Sequence, residues 1–244
     1  MKVLLVCALV LVAVGAVKSA PSRKAKFCCF PPQYEASQSE VAGYALPTPP
    51  GKALVVTSIS HLAADSTNER AGADLTQIAN GKTTKLKIII NYKEKVQYVI
   101  IGQTCTKAAM NTPQFQCIPD NAQVAGPFYF GDKKLFTNTY SFPLKQGVFE
   151  GNVSMTVTQD KCIPVSTVSI GQITNESPAP SIPVLKNSGY FNFTIGIKDP
   201  NHWFTLPSFC PKEISEVSER SVDSNPVSGF MTFSNVMMGS TTDE

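Results

Sequence analysis

Apolar and polar side chains alternate in short runs along the chain, a pattern that predicts β-strands with one buried and one solvated face. Residues 86–92 alternate, a Lys93-Glu94-Lys95 turn follows, and residues 96–100 alternate again. This arrangement predicts a hairpin with one apolar face. The same pattern predicts further strands at residues 53–59, 127–130, 138–142, 148–158, 163–170 and 190–198.

The stretches between these runs are less regular. Residues 28–51 are rich in proline, which excludes a helix near their end and predicts turns. Residues 62–82 fit a loop, a short helix or a distorted hairpin, and residues 212–220 fit one or two helical turns. With 18 prolines, 15 glycines and no long helical period, the chain is predicted to be all-β with minor α, an antiparallel sandwich or open barrel.

The N-terminus has the pattern of an export signal. Residues 1–17 hold one early lysine and then an apolar run that is too short to span a bilayer. Residues 1–20 are therefore predicted to be a secretory signal peptide, cleaved between positions 16 and 20. Loss of Lys2 and Lys18 lowers the formal net charge from +3 to +1, which gives no electrostatic reason to expect a nucleic-acid partner.

The mature chain is predicted to be one secreted domain with a tail. Residues 21–220 form the single β domain, and no stretch in it has the length and apolarity of a transmembrane helix. Residues 221–244 are rich in Ser, Asn and Thr, which predicts a loosely ordered tail. Apolar residues at 230–237 interrupt that tail and offer a final strand.

Seven cysteines are present, of which Cys7 leaves with the leader. An even number in an exported chain favours disulfides over free thiols or a metal site, and no Cys-x-x-Cys spacing favours zinc. The adjacent Cys28 and Cys29 are not expected to bond to each other, because that geometry is strained. The spacing does not select among the connectivities open to Cys28, Cys29, Cys105, Cys117, Cys162 and Cys210.

Three Asn-x-Ser/Thr triplets predict N-linked glycans at Asn152, Asn175 and Asn192. Asn152 and Asn192 both fall on the polar face of a predicted strand, where a glycan would stay in water. Asn175 falls in a proline-rich loop. The pattern is typical of an exported glycoprotein whose sheet has an outer polar face and an inner apolar one.

Catalytic motifs are absent from the sequence. His61 and His202 are the two histidines, and there is no Gly-x-Ser-x-Gly elbow, His-Glu-x-x-His pair or phosphate-binding glycine loop. His202, beside Trp203, is interpreted as an aromatic-packed loop residue rather than a base. Acidic residues near turns leave calcium open as a bound ion, although no EF-hand spacing identifies its ligands. The chain is predicted not to be an enzyme and to need no cofactor.

The segment YFNFTIGIKDPNHWFTLPSFC at residues 190–210 resembles the ependymin family, with an aromatic strand, a Lys-Asp-Pro turn and a short loop that ends at a cysteine. Three other stretches resemble the family in the same order: residues 29–35, the hairpin at 86–101, and residues 158–165. The resemblance spans residues 28–212 and is closer to invertebrate ependymin-related proteins than to the fish brain proteins.

This resemblance implies a fold and a disulfide pattern. Two stacked antiparallel sheets would form a disulfide-stapled half-barrel or sandwich around a hydrophobic pocket. Cys162 would pair with Cys28 or Cys29, and Cys117 with Cys210, which leaves Cys105 to the spare vicinal cysteine. The resemblance also implies a secreted, glycosylated protein, often a homodimer, with associations to calcium and the extracellular matrix.

Two functional hypotheses follow. In the first, the protein carries a hydrophobic small molecule or lipid against apolar strand residues, by burial of apolar area. The candidate pocket residues are Ile88, Ile90, Tyr98, Ile100, Met155, Phe191, Phe193 and Ile195. In the second, the protein is a calcium-associated matrix or cell-adhesion component, such as a shell-matrix protein, with no transport role. No metal ligand can be named for either hypothesis.

Overall fold

The computed structural model describes residues 28–46, 51–110, 112–146, 148–174 and 180–213. The predicted signal peptide, the tail and Asn175 lie outside these residues. Eleven strands and one short helix, α1 (Pro200–Phe204), make up the described part. The strands are β1 (Gln33–Leu46), β2 (Lys52–Asp65), β3 (Arg70–Ala79), β4 (Lys82–Asn91), β5 (Val96–Ile101), β6 (Thr104–Ala109), β7 (Gln123–Phe130), β8 (Leu135–Gln146), β9 (Phe149–Thr158), β10 (Pro164–Ile173) and β11 (Ile182–Ile195).

All eleven strands join one antiparallel sheet, in the order β6-β5-β4-β3-β2-β1-β11-β10-β9-β8-β7. Strands β1–β6 and β7–β11 are two meanders in which each strand pairs with its sequence neighbour. The pairing of β1 with β11, from Tyr34 with Ile195 to Tyr44 with Val184, joins the two meanders. The predicted all-β antiparallel class is confirmed, and both halves belong to one continuous sheet.

The two faces of the sheet differ in burial. Directly paired residues lie on the same face, and we call the face that carries Tyr44, Val56 and Val184 the inner face. Buried apolar residues of this face from both meanders form one cluster, which extends from Leu54 and Val56 on β2 to Phe142 on β8. The inner face therefore holds the main core.

Two elements differ from the sequence-based expectations, and a third was left open among alternatives. Residues 33–46, expected to be irregular, form β1, because Ala36, Ala42 and Tyr44 alternate with polar positions and the prolines lie outside the strand. Residues 62–82, left open between a loop, a short helix and a distorted hairpin, hold the end of β2 and all of β3, so the hairpin alternative is confirmed. The short strand β6 was not expected, because its sequence TCTKAA shows little apolar alternation.

The disulfides are Cys28–Cys162, Cys29–Cys117 and Cys105–Cys210. The first is one of the two pairings that the family resemblance implied for Cys162. The expected Cys117–Cys210 pairing is wrong because Cys117 lies in a β-bridge with Cys29. Cys28 and Cys29 are both used in the first two disulfides, so neither is left for Cys105. Cys105 bonds instead to Cys210.

A small lid covers one end of the inner face. The lid consists of residues 28–30 and 115–118. Backbone hydrogen bonds from Phe30 N to Gln116 O and from Ile118 N to Cys28 O, each 2.8 Å, join these two segments. The ring of Phe115 lies 5.6 Å from that of Phe30 and 6.0 Å from that of Phe142 on β8. The disulfide Cys28–Cys162 and the Phe115–Phe142 ring contact fix the lid to the second meander, while Cys29–Cys117 joins its two segments to each other.

The C-terminal segment, residues 196–210, crosses the opposite, outer face. Trp203 on α1 is buried against β3, where a Cβ on Gly72 would lie 2.6 Å from the Trp203 carbonyl oxygen. Lys87 Nζ donates to His202 O at 2.7 Å, and Trp203 Nε1 donates to Glu35 Oε1 at 3.0 Å. The segment ends at the disulfide to β6, so it braces the first meander from outside.

Candidate functional site

A belt of polar side chains crosses the middle of the inner face. Along β1 the inner-face residues read Tyr34 and Ala36, then Gln38 and Glu40, then Ala42 and Tyr44. The polar pair thus lies between two apolar pairs. Strands β2, β10 and β11 place polar residues beside it in register. We call this set the polar belt: Gln38, Glu40, Ser60, Thr167, Ser169, Lys186 and Ser188.

The register of the strands explains how the belt forms. Glu40 pairs with Ser188, and Lys186 pairs with Ser169 on its other side. Because paired residues in an antiparallel sheet share a face and lie side by side, polar positions on separate strands meet in one row. Gln38, Ser60, Thr167, Ser169 and Ser188 are all buried.

An ion pair lies at the centre of the belt. Lys186 Nζ lies 3.6 Å from Glu40 Oε1, and Ser188 Oγ donates to Glu40 Oε2 at 3.1 Å. The Lys186 side chain is 3 % exposed and that of Glu40 is 17 % exposed. Burial lowers the pKa of Lys186, while the neighbouring Glu40 carboxylate opposes that shift. The Lys186 amine and the Glu40 carboxyl thus lie together within the inner face, largely shielded from water.

Buried tyrosines surround the belt. Burial raises the pKa of Tyr44 and Tyr190, and the Glu40 carboxylate raises both further. Burial also raises the pKa of Tyr34 to about 12. These phenols therefore stay protonated at neutral pH and act as hydrogen-bonding groups and apolar surface, not as bases.

Apolar walls flank the belt on both sides. Toward one end lie Leu54, Val56 and Val184 of the main cluster, and toward the other lie Leu62 and Ala64 beside the lid. The inner face therefore places a polar centre between two apolar groups.

The structure does not bring the eight sequence-predicted pocket residues together. Ile88 and Ile90 lie on the inner face of β4 in a cluster of their own. Met155 is in the main cluster, and Phe193 packs against that cluster with its ring 4.8 Å from that of Tyr34. Tyr98 and Ile100 pack elsewhere, with Ile89, Val96, Cys105 and Cys210.

The register of the β4–β5 hairpin accounts for this separation. Ile89 pairs with Tyr98, and Lys87 pairs with Ile100. Tyr98 and Ile100 therefore share the outer face with Ile89, whereas Ile88 and Ile90 point inward. The expectation of one apolar face across both strands is wrong. The turn sets a register in which the apolar residues of β5 pair with the opposite face of β4 from Ile88 and Ile90.

A β-bulge separates Phe191 from Phe193. The pairing of β1 with β11 shifts between Glu35 and Ser37, so that Phe191 pairs with Ser37 on the outer face. Asn192, with φ 52°, is the extra residue that reverses the facing of the strand. Phe191 and Ile195 are 41 % and 59 % exposed, so the predicted continuous aromatic stripe is wrong here.

The predicted glycosylation positions that the structure describes are accessible. Asn152 is exposed on β9, opposite Ile170, and Asn192 is exposed in the bulge. Their glycosylation stays a prediction, as does that of Asn175 outside the described residues.

The described residues include no cluster of three or more His, Cys, Asp or Glu side chains that could hold a metal ion. His202 Nε2 lies 2.7 Å from Asp74 Oδ2, and its ring packs edge-on against Trp203 at 4.7 Å. This histidine fastens α1 to β3. Within the same residues, no helix has the length and apolarity needed to cross a membrane.

Sequence reasoning missed Glu40 and Lys186. Glu40 lies two positions from Ala42 and Lys186 two positions from Val184 on the same face, and this two-residue spacing is the signal that could have found them. β1 was not expected to be a strand. The ion pair also joins residues far apart in the chain, so it could be recognised only once the pairing of the strands was known.

Comparison with known proteins gives a consistent assignment. The ependymin family profile matches residues 80–210, more than half of the chain. Development-specific protein LVN1.2 of Lytechinus variegatus is 30 % identical over 172 residues, covering 66 % of this chain and 89 % of that protein. Ependymin-related protein 1 of Haliotis asinina is 28 % identical over 195 residues, covering 75 % of this chain and 90 % of that protein.

A second abalone relative, ependymin-related protein 2, is 28 % identical over 133 residues, which covers 51 % of this chain and 63 % of that protein. Among solved structures, an uncharacterized conserved protein from Thermus thermophilus is similar, with a TM-score of 0.41 and 10 % identity. That match covers 72 % of this chain and 86 % of the bacterial one.

Proposed function

Because the chain belongs to the ependymin family, we propose that it is a secreted, non-enzymatic protein that binds an amphiphilic, lipid-like molecule on its inner face. The polar end of the ligand lies at the Glu40–Lys186 pair and its hydrocarbon lies against the flanking apolar walls. The observation that carries this proposal is the polar belt, a charged pair placed between two apolar regions of one face.

The energetics of the belt support a binding role. Desolvation of two charges costs several kcal/mol per ion, and well-packed apolar residues often replace a buried pair at no loss of stability. Stabilisation of the fold is therefore a poor explanation for the belt by itself. A ligand headgroup with both charge and hydrogen-bonding capacity would meet Lys186, Glu40 and the neighbouring hydroxyls, while its chain gains about 25 cal/mol for each Å² of apolar surface buried.

Native mass spectrometry of the full chain tests this proposal. We expect a bound lipid-class molecule, or uptake of a fluorescent fatty-acid probe after delipidation. Lys186→Met and Glu40→Gln should each weaken probe binding by roughly tenfold, the effect of one lost charge-assisted hydrogen bond. Lys145→Met is the matched control, because its pair with Glu150 at 3.8 Å is on the exposed surface.

Two results would count against the carrier. The first is a folded chain that neither retains a lipid nor takes up the probe. The second is equal probe binding by all three variants, which would locate the ligand away from the belt. Circular dichroism of each variant separates loss of fold from loss of binding.

One observation favours a second function, assembly into an extracellular matrix. Six apolar side chains stand exposed on the outer face of β1, β2, β3, β10 and β11, at 46–59 % exposure. We call them the outer-face patch: Val41, Val55, Ile59, Ile78, Ile170 and Leu185.

The outer-face patch suits a second copy of this chain, with Asn152 beside Ile170 at the edge of the contact, where its predicted glycan stays in water. Ile170, Leu185, Gly43 and Val55 are paired across four strands in one row. No charged residue pairs directly with any member of the patch. An exposed apolar patch with no directly paired charge suits face-to-face packing against a second copy about a two-fold axis. A homodimer formed in this way would be the unit that assembles into a matrix. No calcium ligands are proposed among the described residues.

A further inference from the structure

The hairpin of β7 and β8 carries exposed aromatic residues at its tip. Phe128, Tyr129 and Phe130 on β7 are 49 %, 56 % and 54 % exposed. Leu135 and Phe136 on β8 are 39 % and 44 % exposed. Aromatic side chains are rarely this accessible in a cluster, so the tip needs an explanation beyond ordinary surface composition.

The tip projects past the rest of the sheet. Strand β9 pairs with β8 only as far as Thr137, while the pairs Tyr129–Phe136 and Phe130–Leu135 lie beyond that point. Every residue from 125 to 136 is exposed, on both faces of the hairpin. Tyr129 and Phe136 are on one face with ring centroids 6.4 Å apart, and Phe130 and Leu135 are on the other.

Basic side chains adjoin the aromatic ones. The turn Gly131-Asp132-Lys133-Lys134 contains two exposed lysines, and Lys133 Nζ lies 5.9 Å from the centre of the Tyr129 ring. The neighbouring β9–β10 turn adds exposed Lys161, and its Gln159 N donates to Phe136 O at 2.9 Å. Three lysines and two aspartates, Asp132 and Asp160, therefore lie in the two turns at the tip, which leaves a small excess of positive charge there.

Other turns at this end of the sheet lack the combination. The β4–β5 turn contains Lys93, Glu94 and Lys95, the same balance of charges as the β7–β8 turn, but it has no exposed aromatic residue. The β2–β3 turn, residues 66–69, is wholly polar. The aromatic tip is thus a local feature of the β7–β8 hairpin.

We propose that this hairpin tip docks the protein on a lipid membrane surface with anionic headgroups. Aromatic rings favour the interface between headgroups and hydrocarbon, where an apolar body and a polar edge are both satisfied. Lysines at the same level attract anionic lipid. The rings lie beyond the last pair between β8 and β9, at the exposed end of the hairpin, and insertion buries rings that water now contacts.

Membrane docking is independent of ligand binding on the inner face. Strand β8 nevertheless links the two regions, since its inner-face residue Phe142 belongs to the main cluster. A protein that handles a lipid-like ligand gains from a surface that holds it at the source of that ligand.

Vesicle co-sedimentation of the full chain tests the docking surface. We expect binding to vesicles of phosphatidylcholine mixed with phosphatidylserine, and weaker binding to phosphatidylcholine alone or at high salt. The double variant Tyr129→Ser with Phe130→Ser should lose roughly tenfold or more in vesicle affinity, because apolar burial at the interface is removed. Lys133→Gln with Lys134→Gln should weaken binding to the anionic vesicles only.

The matched control is Val55→Ser with Ile59→Ser, which removes two equally exposed apolar side chains from the outer-face patch. This control should bind vesicles as the unmodified chain does. The proposal is overturned if the unmodified chain does not sediment with anionic vesicles, or if control and tip variants lose equal affinity. Fatty-acid probe uptake, measured on the tip variant, should be unchanged, so failure of docking and failure of ligand binding remain distinguishable.

Discussion

The outer face of the sheet has a covered corner and an open centre, and the two are built differently. At the corner, over β3 and β4, the C-terminal segment packs through Trp203 and is held by polar contacts with Glu35, Asp74 and Lys87. At the centre, the outer-face patch carries six exposed apolar side chains and no paired charge. The chain covers itself where charged residues fix a segment in place, and leaves uncovered the surface that suits a second molecule.

Asp65 at the covered corner is expected to give the largest effect when changed. It is fully buried and accepts hydrogen bonds from Gln33, Asn68 and Arg70, whose guanidinium lies 4.1 Å over the ring of Phe204 on α1. Asp65→Asn should cost about 3 kcal/mol of unfolding free energy, since bonds to a charged acceptor are lost. Chemical denaturation of the oxidised chain measures this loss.

The same substitution should flatten the acid limb of the stability profile. Burial alone would raise the pKa of Asp65, but the hydrogen bonds from Gln33, Asn68 and Arg70 lower it overall. Its stabilisation is therefore present above the unfolded value of about 3.9 and is lost as pH falls through the lower folded value. Asp132→Asn, in the exposed β7–β8 turn, is the control for charge removal, and equal profiles for both variants would contradict the assignment.

A pair of glycines gives the most direct contrast between the two regions. A Cβ on Gly72 would lie 2.6 Å from the carbonyl oxygen of Trp203, whereas nothing lies within 4 Å of a Cβ on Gly43 in the open centre. Gly72→Ala should cost about 2 kcal/mol by overpacking. Gly43→Ala should be neutral or slightly stabilising, because the unfolded chain loses freedom. Thermal unfolding of the two variants measures the difference, and a neutral Gly72→Ala would show that the segment sits loosely.

The smallest change in stability is expected in the open centre. Val55→Lys with Ile170→Lys should alter the unfolding free energy by less than about 0.5 kcal/mol, as is typical of exposed positions. The same pair should abolish dimer formation if the patch seats a second copy, since two charges would be buried without partners. Analytical ultracentrifugation provides the readout. A dimer that survives both lysines would remove the outer-face patch as the interface.

The sequence predicted the strands in which apolar and polar residues alternate regularly. It did not predict the strands in which this alternation is weak. Alternation alone predicts the β4–β5 hairpin, strands β8–β10 and the last part of β11, but not residues 182–189 at the start of β11. β1 was missed because flanking prolines and Gly43 obscured its pattern, and β6 because its side chains are mostly small or polar. Alternation also cannot reveal a bulge, which is why Phe191 was expected to lie beside Phe193.

The candidate site was harder to predict than the fold. Glu40 and Lys186 lie 146 positions apart by their numbering, and they meet only because the first strand pairs with the last. Cys117 illustrates the same limit, because its partner was inferred from the resemblance while its true neighbour depends on the lid. Long-range register is the information that local patterns lack.

The pairing of β1 with β11 has a consequence for biosynthesis. In a chain exported from its N-terminus, as proposed above, β1 can join β2 at once, yet its other edge stays open until the last strand emerges. Such distant contacts slow folding and leave a hydrogen-bonding edge exposed meanwhile. Until β11 is translocated, the open edge of β1 can pair with the same edge of another copy and cause aggregation. Chaperones in the lumen are suited to prevent this pairing.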